Sequence, residues 1–110
     1  MRGALTACLA FVAILAASAP AIGDAIDGEW CSKEGKNLEI EGSKIRTPSG
    51  IETVGQYTRH SFAYEAPAGD PEHGLVIVMR VYSDEDMGLS RIKDGEMGPS
   101  ELWHRCNVTS

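Results

Sequence analysis

Two short runs near opposite ends of the chain constrain the fold most, because each carries a tryptophan close to a cysteine on a strand-like stretch. They are Gly28-Glu29-Trp30-Cys31 and Leu102-Trp103-His104-Arg105-Cys106. If Cys31 and Cys106 are bonded to each other, the first and last strands of the domain are neighbours. Successive side chains on a strand point to opposite faces. Trp30, Trp103 and Arg105 therefore share the face opposite the disulfide.

The first 21 residues have the pattern of a secretory signal peptide. Arg2 gives a positive start, residues 4–17 are almost wholly apolar, and Ala19-Pro20-Ala21 is typical of a cleavage site. We predict cleavage after Ala21, which leaves residues 22–110 as a single exported β domain in the periplasm or outside the cell. The alternative is an uncleaved membrane anchor. The apolar run is alanine-rich and lacks a positively charged stop signal on its far side, which disfavours the anchor.

Cleavage decides how the cysteines are counted. Cys8 leaves with the signal, and Cys31 and Cys106 remain. Two cysteines in an exported chain of this size predict one disulfide bond, whereas two free buried thiols would suit a reducing compartment. The bond would close a loop of nearly the whole domain, which in the chain-entropy model stabilises the fold by about 4 kcal/mol.

The domain is acidic, and its acidic residues are spread along the chain. Loss of Arg2 with the signal leaves 9 basic residues against 16 acidic ones, a net charge of −7. This balance argues against nucleic acid and against anionic membrane surfaces as partners. We expect a soluble monomer with no stable membrane insertion after cleavage.

The strand pattern predicts an all-β fold. From Gly28 onward, turn-forming residues interrupt the chain every few positions, and no segment keeps a helical period. We predict about eight short antiparallel strands, including a long one over 56–66 and a very hydrophobic one over 75–82. A meander of this kind whose first and last strands pair is an up-and-down β-barrel, in which closure removes exposed sheet edges. An open sandwich is the alternative.

The long strand predicted over 56–66 supplies most of the candidate ligand contacts. Thr58, His60, Phe62 and Tyr64 share its more apolar face, which we place toward the barrel interior, and Met79 faces inward from the next strand. These five residues would contact a small apolar ligand if the barrel is a cup. In so short a chain, the same side chains would otherwise simply fill the interior.

Gly28-Glu29-Trp30 resembles the G-x-W motif on the first strand of lipocalins and related calycin barrels, in which a late arginine packs over the tryptophan. Arg105 matches that position, with Trp103 as a rival stacking partner. The domain is shorter than a full lipocalin and is similar to the compact lipocalin-like barrels of bacterial exported proteins. The resemblance implies a barrel in which Trp30, Trp103 and Arg105 are structural and seal one end, so that binding uses the opposite end. It carries no ligand or target across.

No catalytic or metal-binding motif stands in the domain. His60, His73 and His104 are not at metal-ligand spacing, and no cysteine is spare. The run from Asp84 to Gly88 begins like a calcium loop, but its early glycine and lack of flanking helices favour a solvated acidic turn. We predict no enzymatic activity, no metal and no cofactor. The sequon at Asn107 matters only if the source is a eukaryote.

Two functions stay open from the sequence. The first is a non-enzymatic binding protein for a small apolar molecule, and an interior cavity would favour it. The second is an inhibitor or interaction protein that acts through its loops on a protease, lysozyme or other envelope partner. A filled interior with a protruding 67–74 loop or 22–27 arm would favour this second function.

Overall fold

A computed structural model describes residues 25–106 of the protein, which form ten β-strands and no helix. The strands are β1 (Gly28–Ser32), β2 (Asn37–Glu41), β3 (Lys44–Arg46), β4 (Glu52–Val54), β5 (Gln56–Tyr57), β6 (Ser61–Glu65), β7 (Val76–Val81), β8 (Asp86–Lys93), β9 (Glu96–Met97) and β10 (Glu101–Arg105). Across this described range there is accordingly no helix able to cross a bilayer. The predicted signal peptide and the sequon at Asn107 lie outside it.

All the strands belong to one antiparallel sheet that is rolled into a nearly closed barrel. The hydrogen-bonded order is β4-β3-β2-β1-β10-β8-β7-β6-β5, and the short β9 pairs with β8. The strands at the two ends of this order, β4 and β5, are separated in the chain by Gly55 alone. Residues 52–57 therefore act as one closing stretch, which pairs with β3 through its first half and with β6 through its second. The predicted antiparallel barrel is confirmed.

Gly55 makes the closing stretch possible because the chain passes very close to β6 there. A Cβ atom at this position would lie 2.4 Å from the carbonyl oxygen of Ala63 and 2.7 Å from a ring carbon of Phe62. The Gly55 N–H is used on the other side, where it donates to the carbonyl of Ser43 at 3.0 Å. Only glycine leaves room for such an approach between backbones.

The single long strand expected over 56–66 is wrong. β5 and β6 are two strands of a tight hairpin, in which Gln56 lies opposite Ala63. Thr58 closes the turn, since its N–H donates to the Ser61 carbonyl at 2.9 Å and its hydroxyl accepts from the Ser61 N–H at 3.0 Å. Thr58 and His60 are consequently exposed rather than interior. Polar residues alternate across this turn as they do along a strand, which is why the sequence pattern predicted a continuous strand.

The predicted disulfide joins the first and last strands. Cys31 and Cys106 are bonded, with Cα atoms 4.9 Å apart. β1 and β10 pair antiparallel, so that Trp30 lies opposite Arg105. The ends of the described chain therefore meet on one wall of the barrel, as the two tryptophan–cysteine runs predicted.

Arg105 closes this end of the barrel by packing over Trp30 and not over Trp103. Its Cζ lies 3.9 Å from the centroid of the Trp30 ring. The guanidinium also donates to three backbone carbonyls, those of Ala25, Asp27 and Asp84. These contacts hold the arm before β1 and the turn after β7 against the same cation.

The glycine of the G-x-W run has its own role in this contact. Gly28 has a φ of +117°, and a Cβ atom there would lie 2.6 Å from Nη1 of Arg105. Trp30 is fully buried and donates from its indole N–H to the Ile26 carbonyl at 2.9 Å. Gly28 therefore provides a backbone conformation suited to glycine and leaves space for the guanidinium, and Trp30 provides the ring on which the guanidinium packs.

The half of the barrel nearest Arg105 is filled by side chains. Trp30, Phe62, Met79 and Met87 are all completely buried, and they come from four different strands. Phe62 and Met79 face each other across β6 and β7. Their predicted inward direction is correct, but they form solid core and leave no space for a ligand at this level.

Candidate ligand-binding pocket

The end of the barrel opposite Arg105 holds an open pocket of about 320 Å³. Its floor is the next layer of inward-facing side chains above the filled core, because every second residue along each strand faces inward. Tyr64 follows Phe62 on β6, Ile77 precedes Met79 on β7, and Leu89 follows Met87 on β8. Trp103 completes the layer from β10, two residues before Arg105. The four floor residues are Tyr64, Ile77, Leu89 and Trp103.

The rim of the pocket is polar and comes mainly from the loops at this end. The rim includes Lys36, Pro48, Ser49, Asp70, Glu72 and Arg91. Lys36 lies between β1 and β2, Pro48 and Ser49 between β3 and β4, and the two acidic residues between β6 and β7. The pocket therefore has an apolar, aromatic floor beneath a charged mouth, an arrangement typical of small-molecule sites.

The loop over 67–74 is folded against the rim by the buried carboxylate of Asp70. This carboxylate accepts from the Ser49 hydroxyl at 2.8 Å and from the Glu72 N–H at 2.8 Å. Burial raises the pKa of Asp70, but hydrogen bonds from Glu72, Ser49 and Thr47 outweigh it and hold the pKa below its ordinary value. The longest polar loop of the sequence is thus an ordered wall of the pocket.

Arg91 ties the same loop to the far side of the mouth. It donates from Nε to Glu72 at 2.5 Å and from Nη1 to Glu101 at 2.7 Å, and it is only partly exposed. Glu101 also accepts the indole N–H of Trp103 at 3.1 Å. Burial raises the pKa of Glu101, while hydrogen bonds from Trp103 and Arg91 lower it further than burial raises it. The Arg91 guanidinium at the mouth is therefore already paired with two carboxylates of the protein.

Tyr64 differs from the paired carboxylates and from Arg91. Its side chain packs edge-on against Phe62, and the residue is 4% exposed. Within residues 25–106, its hydroxyl makes no hydrogen bond, although it belongs to the pocket lining. Burial first, then the charges of Asp70 and Glu72, raise the pKa of Tyr64. The phenol therefore stays protonated at neutral pH and presents a donor to the pocket.

Of the five candidate ligand contacts expected from the sequence, Tyr64 alone lines this pocket. Phe62 and Met79 lie beneath it in the filled core, and Thr58 and His60 are exposed on the turn at the other end of the barrel. Trp103, expected to help seal the Arg105 end, instead forms part of the pocket floor.

Sequence reasoning missed Arg91, although a signal for it was present. Arg91 stands two residues after Leu89 in a predicted strand, so alternation places both on the inward face. Asp70 and Ser49 carried no such signal, because they meet through loops whose contact spans 21 positions of sequence.

Among residues 25–106, no group of three or more histidine, cysteine, aspartate or glutamate side chains is placed to hold a metal ion. His73 and His104 are both exposed. The acidic run before β8 is a turn, in which the N–H groups of Tyr82 and Ser83 both donate to the Asp86 carbonyl.

No known protein family, curated protein or solved structure matches the chain. The resemblance to lipocalin-like barrels accordingly rests on the residues of this chain alone.

Proposed function

We propose that the protein is a small exported binding protein that holds a small, largely apolar molecule in the open end of its barrel and does no chemistry on it. The observation that carries this proposal is the pocket of about 320 Å³ with its aromatic and aliphatic floor. Ligand pockets in proteins begin at roughly 300 Å³. The pocket lies directly above the part of the barrel that Trp30, Phe62, Met79 and Met87 fill.

The walls of the pocket are held together by contacts within the protein. Glu72 and Arg91 join the loop to β8, and Ser49 and Asp70 join the same loop to the turn after β3. A preformed site loses less conformational entropy on binding than one that must order its loops. The filled core beneath the floor supports the pocket on its other side.

Export is part of the same proposal. The signal-like first 21 residues and the Cys31–Cys106 bond both suit an oxidising compartment, either the periplasm or the extracellular space. A monomer without cofactor is sufficient for the function, because one barrel contains the whole pocket.

Ligand binding is tested by blocking the pocket. The mature domain, residues 22–110, is titrated with the neutral fluorescent probe N-phenyl-1-naphthylamine. We expect binding to the wild type and its loss in Leu89→Trp, which fills the floor, and in Pro48→Trp, which narrows the mouth. Val54→Trp is the matched control, since Val54 is 65% exposed and does not line the pocket. Equal binding to all four proteins would contradict the proposal.

A second candidate function is inhibition of an envelope enzyme through the loops at the same end. The favouring observation is that the 67–74 loop is ordered and the β8–β9 hairpin presents Met97 at 58% exposure. Pulldown with the mature domain, followed by mass spectrometry, distinguishes the two functions. Capture of one enzyme that is lost in Met97→Glu and kept in Val54→Glu would favour the inhibitor.

A further inference from the structure

Among the described residues, the hydroxyl of Tyr64 is a buried donor without an acceptor, and its side chain lines the open pocket. Buried polar groups in folded proteins nearly always have a hydrogen-bond partner, so an orphaned one indicates a missing group. The residue is 96% buried and its hydroxyl makes no hydrogen bond within residues 25–106. A ligand in the pocket would lie against this group.

We infer that the pocket selects an uncharged molecule with a flat apolar body and one hydrogen-bond acceptor, an amide or ketone carbonyl, which accepts from the Tyr64 hydroxyl. The inference rests on the proposed ligand-binding function and adds the chemical class of the ligand. Its apolar body would pack on Trp103, Leu89 and Ile77, which form the rest of the floor.

The Tyr64 hydroxyl is a donor because a phenol is protonated at neutral pH. Burial, and then the charges of Asp70 and Glu72, raise its pKa further above that range. Both carboxylates are engaged elsewhere, Asp70 by Ser49 and Glu72 by Arg91. The phenolic proton is therefore left for a ligand.

The mouth disfavours an anionic ligand. The lining carries the carboxylates of Asp70 and Glu72 and the cations Lys36 and Arg91, and Glu101, which pairs with Arg91 beside the mouth, makes the carboxylates the more numerous. An anion that approached Arg91 would have to displace a carboxylate that already accepts from it. A hydrogen bond to an uncharged carbonyl requires no such exchange.

The mouth disfavours a cationic ligand for a related reason. Arg91 already occupies Glu72 and Glu101, and the Asp70 carboxylate accepts from Ser49 and from the Glu72 N–H. An ammonium group would have to compete with the Arg91 guanidinium for two of these acceptors, and would bring a like charge close to it. An uncharged acceptor leaves every existing pair at the mouth intact.

The class is tested with probes that share one ring system. 2-Naphthamide, 2-naphthoate, 2-naphthylmethylammonium and 2-methylnaphthalene are titrated into the oxidised mature domain by calorimetry or NMR. We expect the amide to bind about tenfold more tightly than either ion, and Tyr64→Phe to weaken the amide by up to about tenfold. The affinity for 2-methylnaphthalene should not change in Tyr64→Phe. Tyr82→Phe, at an exposed tyrosine on the outer surface, is the matched control.

The possible outcomes separate this inference from the function on which it rests. Binding of all four probes with no effect of Tyr64→Phe would overturn the ligand class and leave the pocket function standing, as would tightest binding of either ion. No binding of any probe would contradict the pocket function itself. A melting temperature of ligand-free Tyr64→Phe well below that of the wild type would show that the hydroxyl already has a partner, and would also overturn the inference.

Discussion

Arg105 lies over the indole of Trp30, with Cζ 3.9 Å from the ring centroid, and the two residues face each other across the pair formed by the first and last strands. The same guanidinium holds three carbonyls from two other segments of chain. The planar guanidinium can stack on the indole and donate to several carbonyls at the same time, whereas an ammonium group cannot stack in this way. One side chain thus joins β1, β10, the arm and the turn after β7.

Arg105→Lys should destabilise the domain even though it keeps the charge. Lysine retains at most part of the carbonyl contacts and loses the packing of a planar cation on Trp30, which together correspond to about 2 kcal/mol. For a domain of this size, that lowers the melting temperature by roughly 8–16 °C. Lys93→Arg is the control, since Lys93 is exposed at the end of β8. Equal melting temperatures for Arg105→Lys and wild type would contradict the role given to Arg105.

Gly28→Ala should cost more stability than Gly35→Ala. Both glycines have positive φ, so alanine is strained at either position. Only at Gly28 would the new Cβ meet a neighbour, Nη1 of Arg105 at 2.6 Å, whereas nothing lies within 4 Å at Gly35. We expect about 1 kcal/mol of destabilisation for Gly35→Ala and at least about 1 kcal/mol more for Gly28→Ala. Denaturant unfolding of the two variants measures the difference, and equal values would mean that Arg105 is not confined.

The Cys31–Cys106 bond should account for a large share of the stability. It links positions 75 apart, and a loop of that length corresponds to about 4 kcal/mol in the chain-entropy model. Reduction, or Cys31→Ser with Cys106→Ser, should lower the melting temperature by roughly 15–30 °C. Exported protein that is denatured and titrated with a thiol reagent should show no free thiol. Two reactive thiols per chain would be incompatible with the bond.

The 67–74 loop should loosen in acid because of Asp70. The pKa of Asp70 in the folded protein lies below its ordinary value of 3.8. A depressed pKa stabilises the fold at pH values above that ordinary value, and this stabilisation is lost as the pH falls through the folded pKa. Between pH 4 and pH 2, the wild type should therefore lose more stability than Asp70→Asn, which keeps the shape but does not titrate. Parallel pH profiles for the two proteins would remove Asp70 from this role.

Processing should leave Ile22 as the first residue of exported protein. The motif Ala19-Pro20-Ala21 sets this expectation. Intact-mass measurement of protein recovered from the exporting host reads the mature end directly. Retention of residues 1–21 would exclude cleavage and favour the membrane anchor.

Strand parity was sufficient to predict the architecture, because parity depends only on the alternation of side chains along a strand. It placed Trp30 and Arg105 on one face, with the cysteines on the other, and the structure confirms both. Parity failed at Thr58 and His60, where polar residues alternate across a turn as regularly as along a strand. Periodicity alone does not distinguish these two cases.

The pocket was harder to foresee than the barrel. Its floor follows from inward alternation on β6, β7, β8 and β10, which the sequence shows. Its mouth depends on where the 67–74 loop folds, and that is decided by contacts such as Ser49 with Asp70 and Arg91 with Glu72. Interactions between loops distant in sequence leave no local pattern.

The closing stretch at Gly55 gives the barrel an unusual kind of join. All the other neighbouring strands of the described barrel are joined by backbone hydrogen bonds, which can break one at a time. At Gly55 the two strands are joined by the polypeptide backbone itself, which cannot open in this way. Residues 52–57 cannot slide against β3 without also shifting against β6. Gly55 therefore helps to fix the strand register of the barrel. A larger residue there would also disturb strands that it does not contact.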